Sequence, residues 1–298
     1  MNVAAQAGTA WPQAGFLPAC AFQVFGMRRS GNHAIIDWLM RNAPEAATGG
    51  VFYNNCKFGK SPLRTYGSLD IYGLNTGLLP HKDIGDAKRI AQAGSTPMAI
   101  VSYEDRIPQT ASEPQKASAG MKDADFDRQI LIYRSFLNWS ASLLAKIKQN
   151  TGFGPTDRMR IMMVAFATYA QGLDRVTDAK DALAICYDDW VASEGYRARI
   201  LGSLDLPVRD LGLGHVQRYG GGSSFQKKQK DAEKLDTNAR DAAMADDAEY
   251  KLLLWTAAHD LRFMERLMPH FETDAERLAA LAETSDLRMT LPPREATP

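Results

Sequence analysis

The sequence predicts an α/β fold in three layers, with a central, mostly parallel sheet flanked by helices. Three observations carry this expectation. Short apolar runs of strand length alternate with segments whose apolar residues recur at helical spacing. The first such pair is joined by a tight loop containing glycine, a strand–turn–helix unit. The strand-length runs are also apolar nearly throughout, as strands covered on both faces are.

Taken in order, residues 1–19 are rich in Ala, Gly and Pro and read as a flexible leader. Residues 21–26 (AFQVFG) read as a buried strand, and residues 34–40 as a helix with Ile35, Ile36 and Leu39 on one side. Residues 51–95 hold many Gly, Asn, Lys and Pro with little periodicity, and read as irregular chain that could cover a site. Two more strands are expected at 97–103 (PMAIVSY) and 129–133 (QILIY), separated by a polar surface excursion over 108–125. Residues 135–148 and 157–173 carry helical periodicity. A fourth strand, 182–187 (ALAICY), precedes a helix over 191–204 that Pro207 ends. Residues 212–225 are glycine-rich, 227–240 read as a solvated stretch of mixed charge, 249–270 as one long amphipathic helix and 275–283 as a shorter one.

Composition narrows the function classes. With 298 residues, 45% apolar and 23% charged, the chain is of ordinary globular type, which excludes bulk disorder and fibrous repeats. The 35 basic residues balance 35 acidic ones, which argues against nucleic acid or anionic lipid as a partner of the whole surface. A local cationic pocket remains compatible with that balance. One domain over 20–286 is expected, followed by a tail at 287–298. Cys20, Cys56 and Cys186 have no CxxC spacing and no nearby pair of histidines, so they read as buried thiols of a reducing compartment rather than metal ligands. No secretion signal is evident, and the longest apolar stretches, such as 161–167, are too short to span a bilayer. A cytoplasmic protein is the expectation.

The segment Gly26-Met-Arg-Arg-Ser-Gly31 has the G-x-x-x-x-G spacing of a loop that cradles phosphate between a strand and a helix. A nucleoside-triphosphatase loop would continue with Lys and Ser/Thr to hold phosphate and Mg²⁺. Here those positions are Asn32 and His33, and the cations sit inside the loop as Arg28 and Arg29. Metal-assisted triphosphate hydrolysis is therefore disfavoured.

The string FGMRRSGNHAIIDWL resembles the 5′-phosphosulfate loop of sulfotransferases that use 3′-phosphoadenosine 5′-phosphosulfate (PAPS). Arg29, Ser30 and Gly31 match its Lys/Arg-Ser-Gly, while Asn32 and His33 replace two threonines and retain hydrogen-bonding capacity. LIYRSFLNWSASLLA resembles the 3′-phosphate segment of the same family, with Arg134 at a strand end and Ser142 eight positions later. ICYDDWVASEGYRARILGSLDLP resembles the element whose Tyr faces the adenine, here Tyr187. QRYGGGSSF stands loosely in place of the basic loop that closes on the 3′-phosphate, with Arg218 its only cation.

The resemblance implies a P-loop-like sulfotransferase domain that binds PAPS, releases PAP and requires no metal. It implies in-line transfer of a sulfuryl group to a hydroxyl or amine, the acceptor being a saccharide, a lipid or another small molecule. Arg29 would then neutralise charge on the leaving phosphate. It also implies a base just after the strand that follows the loop unit, which makes Glu104 the first candidate and Asp105 the second; His81, in the irregular segment that could cover the site, is a third. A non-catalytic relative that binds PAP is the alternative.

Overall fold

Seven strands form one sheet in a computed structural model that describes residues 10–72, 79–80, 94–108, 117–178, 182–216, 225–226 and 228–284. The strands are β1 (Cys20–Gly26), β2 (Gly50–Asn54), β3 (Ser68–Tyr72), β4 (Leu79–Pro80), β5 (Met98–Glu104), β6 (Arg128–Tyr133) and β7 (Ala182–Cys186). Their order is β4-β3-β2-β5-β1-β6-β7. The five from β2 to β7 run parallel, and β3 and β4 add an antiparallel edge. The expected three-layer α/β fold with a mostly parallel sheet is what the chain adopts.

Period-2 alternation builds the layers. Phe22, Val24, Ile100, Ile130 and Ile132 point to one face and pack with Ile35, Ile36 and Leu39 of α1 (Asn32–Arg41) and Leu201 of α6 (Glu194–Ser203). Their strand neighbours Ala21, Phe25, Val101, Tyr103 and Leu131 point to the other face. Further along that second face, Tyr133 meets Phe271 edge-on beside α3 (Phe136–Ile147) and α4 (Pro155–Asp178). The remaining helices are α2 (Pro62–Thr65), α5 (Tyr187–Ala192), α7 (Arg240–Met244), α8 (Ala248–Ala258), α9 (Leu261–Leu267) and α10 (Glu272–Thr284).

Several sequence expectations change, among them the helix read over 191–204, which is two, α5 and α6, separated at Ser193. Residues 10–19, read as part of a flexible leader, are packed: Trp11 is 1% exposed and its Nε1 donates to the Asp125 carbonyl at 2.7 Å. Leu17 N and Ala19 N donate to the carbonyls of Ser95 and Pro97, so this segment extends the core. Residues 51–95, read as irregular, contain β2, a central parallel strand whose register pairs Tyr53 with Val101. The expected long helix over 249–270 breaks into α8 and α9, because the Asp260 side chain caps the second helix by accepting from Phe263 N at 3.1 Å. The stretch 227–240, read as solvated, ends in buried Thr237 and Arg240. All three cysteines are free thiols, and burial pushes Cys20 and Cys186 up to about 12. No described helix is long and apolar enough to cross a membrane.

Candidate functional site

Five adjacent parallel strands deliver polar groups at their C-terminal ends, where open α/β sheets bind ligands. Asn54 ends β2, Glu104 ends β5, the glycine loop follows β1, Arg134 follows β6 and Tyr187 follows β7. Register keeps the ends level: Gly26 lies opposite Glu104, and Tyr133 opposite Cys186. A cleft of about 730 Å³ opens among them.

The loop from Gly26 to Gly31 is held by its own backbone and by two helices. Gly31 caps α1 with φ +91° and no side-chain cap, so the positive end of the helix opens on the cleft. Arg29 also adopts a left-handed backbone, φ +73°, an uncommon conformation for a residue with a Cβ. Asn32 Nδ2 and Ser30 N both donate to the Met27 carbonyl, at 3.2 and 3.1 Å. From α3, Trp139 Nε1 donates to the Arg28 carbonyl at 3.0 Å. Arg28 is exposed and pairs with Asp105, whose Oδ1 also accepts from Arg28 N at 2.9 Å.

Three guanidinium groups gather on one side of the cleft. Arg29 Nε and Arg240 Nη1 both donate to Ser142 Oγ, at 3.3 and 3.0 Å. Arg134, 1% exposed, donates from Nη1 to the Arg29 carbonyl at 3.5 Å and from Nη2 to the Thr237 carbonyl. Its guanidinium carbon sits 4.8 Å over the Tyr187 ring, and its Nε lies 3.5 Å from Asp188 Oδ1. Burial first, and then Arg134, lowers the proton affinity of both other arginines. Arg240 is pushed down to about 9, while Tyr187 and Glu104 partly offset the effect at Arg29. Arginines remain charged at neutral pH, so the cluster presents concentrated positive charge to the cleft. Arg240 Nε is buried without a hydrogen-bond partner.

Glu104 is half-buried across the cleft. Burial raises its carboxyl above the usual range; His33 is the largest opposing influence, with Arg28 and Arg29 adding to it and Asp105 acting against. His33 Nε2 lies 3.1 Å from Asn54 Oδ1, which also accepts from Ser102 Oγ at 3.3 Å.

Of the residues expected from sequence, Arg28, Arg29, Gly31, Asn32, His33, Glu104, Arg134 and Tyr187 line the cleft. Ser142 lies just behind its wall, joined to it by Arg29 and Arg240. Ser30 does not reach the cleft: it lines a small separate cavity with Met27, Leu131 and Tyr169, and its N–H is spent on Met27. Asp105 is tied to Arg28. Arg218 and His81 lie outside the described residues. Sequence reasoning missed Arg240, which stands in a run of mixed charge with no spacing signal, and Asn54, the end of an unexpected strand. No protein-family model, curated protein or solved structure matches this chain.

Proposed function

We propose that the chain is a PAPS-dependent sulfotransferase acting on a hydroxyl or amine acceptor. The observation that carries this reading is the convergence of Arg29, Arg134 and Arg240 around Ser142 at the C-terminal end of the sheet. Arg134 and Arg240 are buried and Arg29 half-buried, with Asp188 beside Arg134, so a bound anion would further offset the cost of gathering three like charges. A donor with phosphates at both its 3′ and 5′ positions is suited to such a cluster, with the loop and α1 N-terminus on one side and Arg134, Arg240 and Ser142 on the other. Tyr187 and Trp190, stacked at 5.8 Å, with Leu213 and Val216, offer an apolar wall for a purine.

PAPS supplies the activated sulfuryl group. Arg29 neutralises charge on the departing phosphate, and Glu104 Oε accepts the proton of the acceptor. The raised Glu104 carboxyl suits a base that must hold a proton, and the Arg28–Asp105 pair leaves Asp105 less available for that role. Saccharides, lipids and small molecules remain candidate acceptors, and a cytoplasmic location accompanies the reading.

Calorimetry with PAP, PAPS and ATP tests it. Binding of PAP and PAPS without Mg²⁺, and transfer from PAPS to at least one member of an acceptor panel, is expected. Absence of PAP and PAPS binding overturns the proposal. Glu104→Gln should abolish turnover and retain PAP binding; binding without turnover in the parent, across the panel, leaves a PAP-binding protein.

A further inference from the structure

The His33 imidazole occupies a position that a simple phosphate ligand would not need. It is the second residue of α1, rooted at the end of β1, yet its Nε2 reaches Asn54 Oδ1 at the end of β2. Strand β5 lies between β1 and β2 in the sheet, and neighbouring strands are about 4.8 Å apart. The start of α1 lies against the end of β1, where Asn32 Oδ1 fills the space a Gly26 side chain would take, and Gly26 pairs in register with Glu104, the last residue of β5.

The bridge is built rather than incidental. Ser102 Oγ accepts from Asn55 N at 3.0 Å and donates to Asn54 Oδ1, while Asn54 Nδ2 donates to Ser68 Oγ at 3.0 Å. This orients Asn54 with its oxygen toward His33, so Nε2 carries a proton and donates. The ring also meets Phe52 edge-on at 6.0 Å, which fixes its plane. His33 and Glu104 line the same cleft.

We propose that His33 is the partner of Glu104: clamped across the end of β5 by Asn54, its ring is held against the neighbouring carboxylate and favours the carboxylate form. His33 is thus a positioning residue that acts through Glu104. The charged groups facing Glu104 are Arg28 and Arg29 from the loop, which act in the same direction, and Asp105 from its own chain, which acts against. Arg28 is paired with Asp105 and Arg29 donates to Ser142 on the other side of the cleft, whereas His33 is held by Asn54 on the Glu104 side. The inference deepens the reading of Glu104 as the proton acceptor, and rests on it for its functional meaning.

The test reads the carboxylate directly. The side-chain carboxyl of Glu104 is followed by ¹³C NMR over a pH titration in the parent, in His33→Gln and in Arg28→Gln, with Glu104→Gln assigning the signal. The expected result is a titration midpoint displaced to higher pH in His33→Gln, and by more than in Arg28→Gln. A midpoint that coincides with the parent's in His33→Gln, or a larger displacement in Arg28→Gln, overturns the inference. His33→Asn serves in the same way if the Gln variant does not fold. The measurement requires no turnover, so it decides the pairing even if PAPS is not the donor. Where transfer is observed, the acid limb of the kcat profile should move to higher pH in His33→Gln with PAP affinity retained; loss of PAP binding with an unmoved limb would make His33 a phosphate ligand instead.

Discussion

The Tyr187 ring occupies the space beside Gly31 that a side chain would need: a Cβ on Gly31 would lie 2.0 Å from Tyr187 Cδ2. The contact joins the N-terminus of α1 to the end of β7, and the same Tyr187 ring supports Arg134 from below. Because Gly31 also has φ +91°, its requirement for glycine is double, conformational and steric. Gly15 separates the two effects, since it has φ +85° and nothing within 4 Å of its would-be Cβ. Gly15→Ala should cost about 1 kcal/mol of stability, the price of the left-handed backbone alone. Gly31→Ala should cost clearly more and should weaken PAP binding as Tyr187 is displaced. Urea denaturation with a PAP titration measures both.

The packed segment 10–19 gives a second test. Trp11 contacts Phe16, Tyr53 and Phe126 and donates its indole N–H to Asp125. Trp11→Ala should lower unfolding free energy by about 3–5 kcal/mol, the range for removing a buried aromatic side chain. A change within error in the denaturation midpoint would return this segment to the status of a leader.

What was legible in the sequence, and what was not, follows from the range of the signals. Residues 21–26 and 129–133 were readable as strands because each is covered on both faces and is apolar at all but one position, Gln23 in the first and Gln129 in the second. Arg134 and Ser142 were readable only through the resemblance of LIYRSFLNWSASLLA to a 3′-phosphate segment; the fold places Arg134 after β6 and Ser142 within α3. β2 was not, because its Val51-Phe52-Tyr53 is only three apolar residues set between Gly50 and Asn54, and its burial comes from β5 and β3 alongside. Arg240 was invisible for a different reason. Its burial depends on α3 lying beside it, where Asn138 Oδ1 accepts from Arg240 N at 3.3 Å, a contact 102 residues away in the chain. Local charge pattern reads such a residue as solvated.

Asp274 should make stability depend on pH. Its Oδ2 accepts from Ser135 Oγ at 2.8 Å and from Leu137 N at 3.1 Å, tying α10 to the start of α3 next to Arg134. Burial, with Asp188 adding, raises its carboxyl above the usual range despite those bonds. A raised acid favours its neutral form in the folded state, so its ionisation penalty is absent below the ordinary value of 3.8, grows as pH rises from there to the raised value, and is constant above it. Asn preserves the single accepting oxygen and cannot ionise. Asp274→Asn should therefore gain stability relative to the parent as pH rises from about 4 to 7. Asp274→Ala orphans the two donors and should lose about 2–3 kcal/mol. Thermal denaturation across that pH range separates the two.

Arg240 should show stability and binding moving in opposite directions. Its guanidinium is 6% exposed and repelled by Arg134 and Arg29, which Tyr187 and Asp188 offset in part, and its buried Nε has no hydrogen-bond partner. Arg240→Met keeps much of the side-chain volume and removes a like charge from the cluster. Ser142 Oγ loses one donor but retains Arg29 Nε, so the substitution leaves no buried acceptor unmet. Replacing a buried charge in this way is neutral to stabilising in other folds, and the unliganded variant should unfold at the same temperature or higher. PAP should bind it about tenfold more weakly or worse, since a charge-assisted hydrogen bond contributes roughly 1.5–3 kcal/mol. Thermal unfolding with and without PAP measures both signs in one experiment. A variant that loses stability and keeps its affinity would identify Arg240 as a structural brace for α3, and the cluster would then have only Arg29 and Arg134 to offer a bound anion.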